Sequence, residues 1–134
     1  MNEQENVKTI QAAYDAFTKG DMPTLFSLLT EDAEYKFIGS SDVIPWAGTF
    51  QGQEQIMQCL TRLAQALEFQ SFGAQEFIAQ GDKTAVILHG RYKARATGKE
   101  FETNPHHLVT CRAGKIAQII AMDDTAKVAA MLAA

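Results

Sequence analysis

The chain of 134 residues has only two cysteines, three prolines and one tryptophan, and its 12 Lys and Arg are outnumbered by 16 Asp and Glu. A net charge of −4 without a basic block excludes a nucleic-acid or anionic-membrane surface, which would need a Lys/Arg excess to displace counterions. The cysteines, Cys59 in a helical pattern and Cys111 in a strand pattern, lack zinc-type spacing and are expected as buried, reduced thiols rather than a disulfide. No apolar run approaches bilayer length, and the start MNEQENVKTI has neither the positive end nor the apolar centre of a secretory signal. These absences predict a cytoplasmic protein with no membrane or nucleic-acid partner. Repeats, low-complexity tracts and linkers are also missing, and 46% apolar residues suffice for one domain spanning 1–134.

What is present is organised around residues 99–125, KEFETNPHHLVTCRAGKIAQIIAMDDT. Two apolar strand-like runs meet there at the short loop Arg112-Ala113-Gly114-Lys115, which predicts a hairpin. By the period of two, His107, Val109 and Cys111 share one face of the first run, and Ile119, Ala121 and Asp123 share one face of the second. If those faces coincide, a histidine and an aspartate look into one apolar space.

Upstream, Val7, Ile10, Tyr14 and Phe17 recur at steps of three and four, predicting a helix that ends near Gly20. Asp21 caps a second helix, with Pro23 in its first turn. A strand over 31–38 follows, with Tyr35 and Phe37 on one face, and then an exposed connection from Gly39 to Pro45. The segment Trp46 to Gly52 is expected to set an aromatic at a pocket rim. Ile56, Leu60, Leu63 and Leu67 mark a third helix over 53–67. The period then changes to that of strands over 69–80, 83–96, 100–112 and 115–123, with turns at Gly81-Asp82, Gly98-Lys99 and Ala113-Gly114, which reads as an antiparallel meander. Residues 125–132 form a last helix capped by Asp124 or Thr125. The whole is an α+β layer arrangement, three N-terminal helices on a curved antiparallel sheet.

Taken in order, YDAFTKGD at 14–21, LTEDA at 29–33, WAGTFQG at 46–52, ATGK at 96–99, GKI at 114–116 and DTA at 124–126 resemble the SnoaL-like group of the nuclear-transport-factor-2-like superfamily. The resemblance implies a cone-shaped, cystatin-like fold shared by ketosteroid isomerases, limonene epoxide hydrolase, scytalone dehydratase and polyketide cyclases. That superfamily hosts both catalysts and binders, so fold alone does not set the reaction. Where ketosteroid isomerases carry their aspartate base, this chain has Phe37; their oxyanion aspartate falls near His107 and their first-helix tyrosine near Tyr14. The arginine of the epoxide hydrolase set has no matching position, because Arg91 and Arg95 share a face with His89. The SnoaL-like cyclases pair an aspartate late in the final strand with a histidine on the neighbouring strand. That pair resembles Asp123 or Asp124 opposite His106 or His107, and is the nearest match of the three.

Each candidate also has a plain reading. His107 is equally a core histidine bonded to a backbone carbonyl, Asp123 a strand-end carboxylate at the cone's mouth, and Tyr14 a core aromatic. Asp124 reads as a helix cap, and His106 points to the opposite face. The residue set selected is His107, Asp123 and Tyr14 for acid–base chemistry, with Tyr35, Phe37, Trp46, Phe50, Leu63 and Val109 around the ligand and no metal ligands. The expected function is isomerisation, dehydration or aldol cyclisation of a small hydrophobic or polyketide-like carbonyl compound, with no cofactor, in a mostly apolar cavity on the order of 300 to 1,000 Å³. The alternative is a non-catalytic module of the same fold, binding a small hydrophobic ligand or serving dimerisation. A homodimer through the outer sheet face is expected because Leu88, Val109, Ile120 and their neighbours exceed what one concave side can cover.

Overall fold

A computed structural model describes residues 2–133. Helix α1 (Glu3–Lys19) starts at Asn2, whose Oδ1 accepts the Glu5 N–H at 2.8 Å, and stops at Gly20 in the left-handed conformation with φ of 72°. Helix α2 (Met22–Ser27) is capped by Asp21, which accepts both the backbone N–H and the hydroxyl of Thr24. Strand β1 (Leu29–Phe37) leads through a loop to the short β2 (Gly48–Gln51) and then to α3 (Gly52–Ala66). The remaining elements are β3 (Leu67–Gln80), β4 (Lys83–Ala94), β5 (Glu100–Thr103), β6 (His106–Arg112), β7 (Lys115–Met122) and α4 (Thr125–Leu132).

The seven strands form one sheet in the order β2-β1-β7-β6-β4-β3, with β5 also on β4. The expected meander is present from β3 to β7, but the sheet is mixed. Strand β1 lies parallel to β7, with Tyr35 opposite Ile119 and Phe37 opposite Ala121, while β2 pairs antiparallel with β1. Two register shifts bend β3 along its 14 residues. Such bulges increase local twist, and here they curl the long β3–β4 hairpin over α1.

The strand expected over 100–112 is two strands. Pro105 has no N–H to give the ladder, so pairing breaks at Asn104-Pro105. Strand β5 pairs with 90–93 of β4 and β6 with 83–87. The break is sealed by Asn104 Nδ2 donating to Leu88 O at 3.1 Å and Leu88 N donating to Pro105 O at 2.9 Å. The β6–β7 hairpin turns as expected through Ala113 and Gly114, both with positive φ.

The concave face of the sheet meets the helices. Leu88 and Val109 lie on it and are fully buried within the chain, which corrects the expectation that they call for an outer partner. The connection 39–47 is also less exposed than its polar composition suggests. Ile44, Trp46 and Ala47 are buried, with Ile44 near Gly39 beside Phe37 of β1 and Thr125 of α4, and Trp46 against Phe37. Asp124 caps α4 through its contact with Lys127 N–H, and Val128 buries that helix on the core. No helix of the described residues is long and apolar enough to cross a membrane.

Candidate functional site

Between α1, α3, α4 and the concave sheet face lies a cavity of about 120 Å³. This is well below the volume expected from the sequence, because Phe69, Phe72 and Phe101 project into the space as well. The β6–β7 register sets His107 opposite Ala121 and Val109 opposite Ile119, so the two faces coincide. Asp123, two residues beyond Ala121, continues that face, and His107 and Asp123 both line the cavity. His106, opposite Met122, is exposed on the other side.

Tyr14 reaches the same cavity from α1. Its hydroxyl lies 2.7 Å from His107 Nδ1, and the two ring centroids are 5.7 Å apart. Burial pushes the His107 imidazole down to about 4 and the Tyr14 phenol well above its ordinary range. Near neutral pH both are therefore uncharged. Two uncharged partners share their hydrogen bond in one of two ways, with Tyr14 donating to Nδ1 and leaving Nε2–H free, or with Nδ1–H donating and leaving the phenol proton free. Either way the pair keeps one proton to donate without carrying charge.

Asp123 is held differently. Its Oδ1 accepts the Asp124 N–H at 2.7 Å, and its Oδ2 lies 3.1 Å from the Thr103 hydroxyl, which is 3.3 Å from the Tyr92 hydroxyl. An ionised carboxylate only accepts, so Thr103 donates to it and can take the Tyr92 proton in turn. Desolvation lifts the Asp123 carboxyl above its usual range, with these two hydrogen bonds pulling the other way. Two of its roughly four lone-pair positions remain unused. A partly desolvated carboxylate of raised basicity is suited to taking a proton.

Thr103 and Tyr92 were not selected from the sequence. The signal available for Thr103 was its alternation with Phe101 toward the concave face, but its meeting with Asp123 depends on the break at Pro105. Tyr92 owes its position to Gly90. A Cβ at Gly90 would lie 2.0 Å from the Tyr92 hydroxyl oxygen, so only glycine leaves the slot.

Tyr35, Phe37, Trp46, Leu63 and Val109 line the cavity. Trp46 is on the inner wall and buried, not at a rim. Phe50 is not on the wall. It sits on the short edge strand β2 with the Arg62 guanidinium 5.7 Å over its ring, packed toward α3. Phe37 is in edge contact with Trp46, their ring centroids 6.0 Å apart. Among the described residues no three His, Cys, Asp or Glu side chains converge as a metal site would require.

The SnoaL-like domain profile matches residues 10–119. The chain belongs to the SnoaL-like family. Solved structures agree on the fold: an NTF2-like protein from Burkholderia xenovorans LB400 is 28% identical, with 99% of each chain covered and a TM-score of 0.88. A protein described as a SnoaL-like polyketide cyclase, from Jannaschia sp. CCS1, is 16% identical over 98% of this chain and 94% of its own, with a TM-score of 0.83. TerC, crystallised with polyporic acid, is 23% identical over 96% and 98%, with a TM-score of 0.82. No curated protein matches the sequence. For the SnoaL-like fold of this chain, the site just described is the cavity inside the cone.

Proposed function

We propose that this SnoaL-like protein moves protons on a small apolar carbonyl compound without a cofactor, in an isomerisation, dehydration or aldol-type cyclisation. The observation that carries the reading is the uncharged Tyr14–His107 donor pair facing the same apolar cavity as the raised carboxyl of Asp123. In the first step Asp123 takes a proton from the carbon next to the carbonyl, and the electron pair left behind moves into a developing enolate. The proton of the Tyr14–His107 pair meets the enolate oxygen. A neutral donor suits this step because its own proton stays in place until negative charge develops on the ligand. Return of the proton from Asp123 to a different carbon completes isomerisation. In cyclisation the enolate attacks a second carbonyl and the alkoxide so formed takes the proton from Asp123; in dehydration the enolate expels a β-hydroxyl, which leaves as water with that same proton.

The test uses cyclohexanone, a single ring of about the right size for the cavity. Proton NMR in deuterium oxide should show α-proton exchange accelerated by the protein and lost in Asp123→Asn. Exchange no faster than in buffer, or unaffected by that substitution, would sink the catalytic reading. The non-catalytic alternative draws on the almost wholly apolar wall, and it predicts binding of cyclohexanone with no exchange.

A homodimer is part of the same proposal, and of the three residues expected to call for it Ile120 remains on the outer face. Across the outer face, Ile120, Leu108, Ala85 and Ile78 stand opposite one another strand to strand, flanked by exposed Ile38 and Met122. Such a row is what a second sheet covers, and light scattering at micromolar concentration should return twice the chain mass. A cytoplasmic setting also belongs here, since Cys59 and Cys111 are buried, free thiols.

A further inference from the structure

A second recess, of about 730 Å³, lies outside the cavity between the end of α1, α3 and the start of β3. It shares Phe17, Leu60, Leu63, Leu67, Phe69 and Phe72 with the inner cavity, so the partition between the two is one side chain thick. At its centre the three phenylalanines meet in a triangle of edge contacts, with centroid separations of 5.4 Å for Phe17–Phe69, 5.6 Å for Phe17–Phe72 and 5.5 Å for Phe69–Phe72. All three rings are only half-buried. The barrier between the volumes is thus made of aromatic side chains, which move by rotamer changes, rather than of backbone.

The two chambers differ in size and polarity. The inner one is at single-ring scale, since an apolar cavity of about 150 Å³ takes benzene. The outer one is edged by Thr18, Thr61, Gln70 and Ser71, and Arg95 is the single charged side chain on its described lining. Arg95 Nε donates to Ala64 O at 2.9 Å, which fixes the guanidinium, and Arg95 joins none of the ion pairs among the described residues. Its terminal amino groups are left to present a fork of the kind that takes a carboxylate.

We propose that cavity and groove are two chambers of one ligand site, and that the ligand is an amphipathic monoanion whose apolar carbonyl end enters the cavity while its carboxylate tail sits at Arg95. The reactive end rests on the function proposed above; the tail subsite rests on the groove and Arg95 alone. Entry can be followed by fluorescence of Trp46, the only tryptophan, which lies on the inner wall. The full chain is titrated with octanoate and with octanol, which share a tail and differ in charge. Both should perturb Trp46, octanoate with an affinity about tenfold higher, as a charge-assisted contact allows. Arg95→Gln should abolish that preference and leave octanol binding in place, and Arg95→Lys, which keeps the charge and loses the fork, should retain part of it. Equal affinity for acid and alcohol, a preference that survives Arg95→Gln, or no saturable change with either probe would overturn the proposal. Cyclohexanone has no tail, so failure of its exchange removes the catalytic reading and leaves this result standing.

Discussion

The Tyr14 hydroxyl and His107 Nδ1, separated by 93 residues in sequence, lie 2.7 Å apart and tie α1 to β6 at the cavity wall. The contact does two jobs. It satisfies two polar atoms that the apolar surroundings would otherwise leave without partners, and it fixes which way the imidazole faces.

Tyr14→Phe removes the hydroxyl and keeps the ring, so packing against Phe72 is retained. The expected cost in stability is about 1 to 2 kcal/mol by urea unfolding, the usual range for a buried hydrogen bond with one partner deleted. Exchange on cyclohexanone should fall by about ten- to a hundredfold, mostly in the rate at saturation. A variant as active as the parent would show that the contact is structural only.

The depressed His107 makes stability depend on pH with a definite sign. Its imidazole titrates near 6.5 when unfolded and near 4 when folded. Between those values the unfolded chain binds a proton that the folded chain refuses, so stability falls as pH drops from about 6.5 to about 4, by about 3 kcal/mol for the full shift. Asp123 acts in the opposite sense. Its folded value is raised above the ordinary 3.8, so its contribution is present at low pH and fades as pH rises through that same region. Comparing His107→Gln with the parent isolates the first effect, because Asp123 is common to both. The stability difference between them should widen in the parent's favour from pH 4 to pH 6.5 in urea titrations, and a constant difference would refute the assignment.

Gly90→Ala tests the slot that holds Tyr92. The new Cβ would meet the Tyr92 hydroxyl at 2.0 Å and ring carbons at 2.3 and 2.8 Å. Tyr92 cannot swing clear, being packed edge-on to Phe69 at 5.1 Å and against Phe101 at 5.0 Å. Overpacking of this kind costs about 1 to 3 kcal/mol. Adding Tyr92→Phe should not restore stability, since the ring carbons still collide, whereas Tyr92→Leu should restore part of it.

How much of this was legible depends on the range of the interaction. The shared face of His107, Val109, Ile119 and Asp123 follows from alternation and a two-residue turn, both local, and the register confirms it. The caps at Asp21 and Asp124 are local too. The parallel pairing of β1 with β7 joins segments some eighty residues apart, and no periodicity encodes it. Tyr14 was visible as a candidate, but its partner was not, because helix spacing shows a buried face without saying what it faces. The small cavity is likewise a packing result. It depends on how far Phe69, Phe72 and Phe101 lean inward, which follows from the bulges in β3 and the break at Pro105.

Thr103→Val asks whether the hydroxyl chain from Tyr92 tunes the base. The substitution keeps the shape of a buried side chain and removes the proton that Thr103 gives to Asp123 Oδ2. That hydrogen bond lowers the Asp123 carboxyl against the upward pull of burial. Without it the carboxyl must rise further, so the acid limb of the exchange profile, where activity appears as the base ionises, should move to higher pH. At a pH above the new limb the rate should be equal to or greater than that of the parent, because a more basic carboxylate takes the carbon proton more readily. The Tyr92 hydroxyl, left without its acceptor, adds a stability cost of about 1 kcal/mol that shifts the unfolding midpoint but not the pH limb. A uniform loss of rate with the limb unmoved would mean that Thr103 only packs, and that Asp123 is set by Asp124 N–H and burial alone.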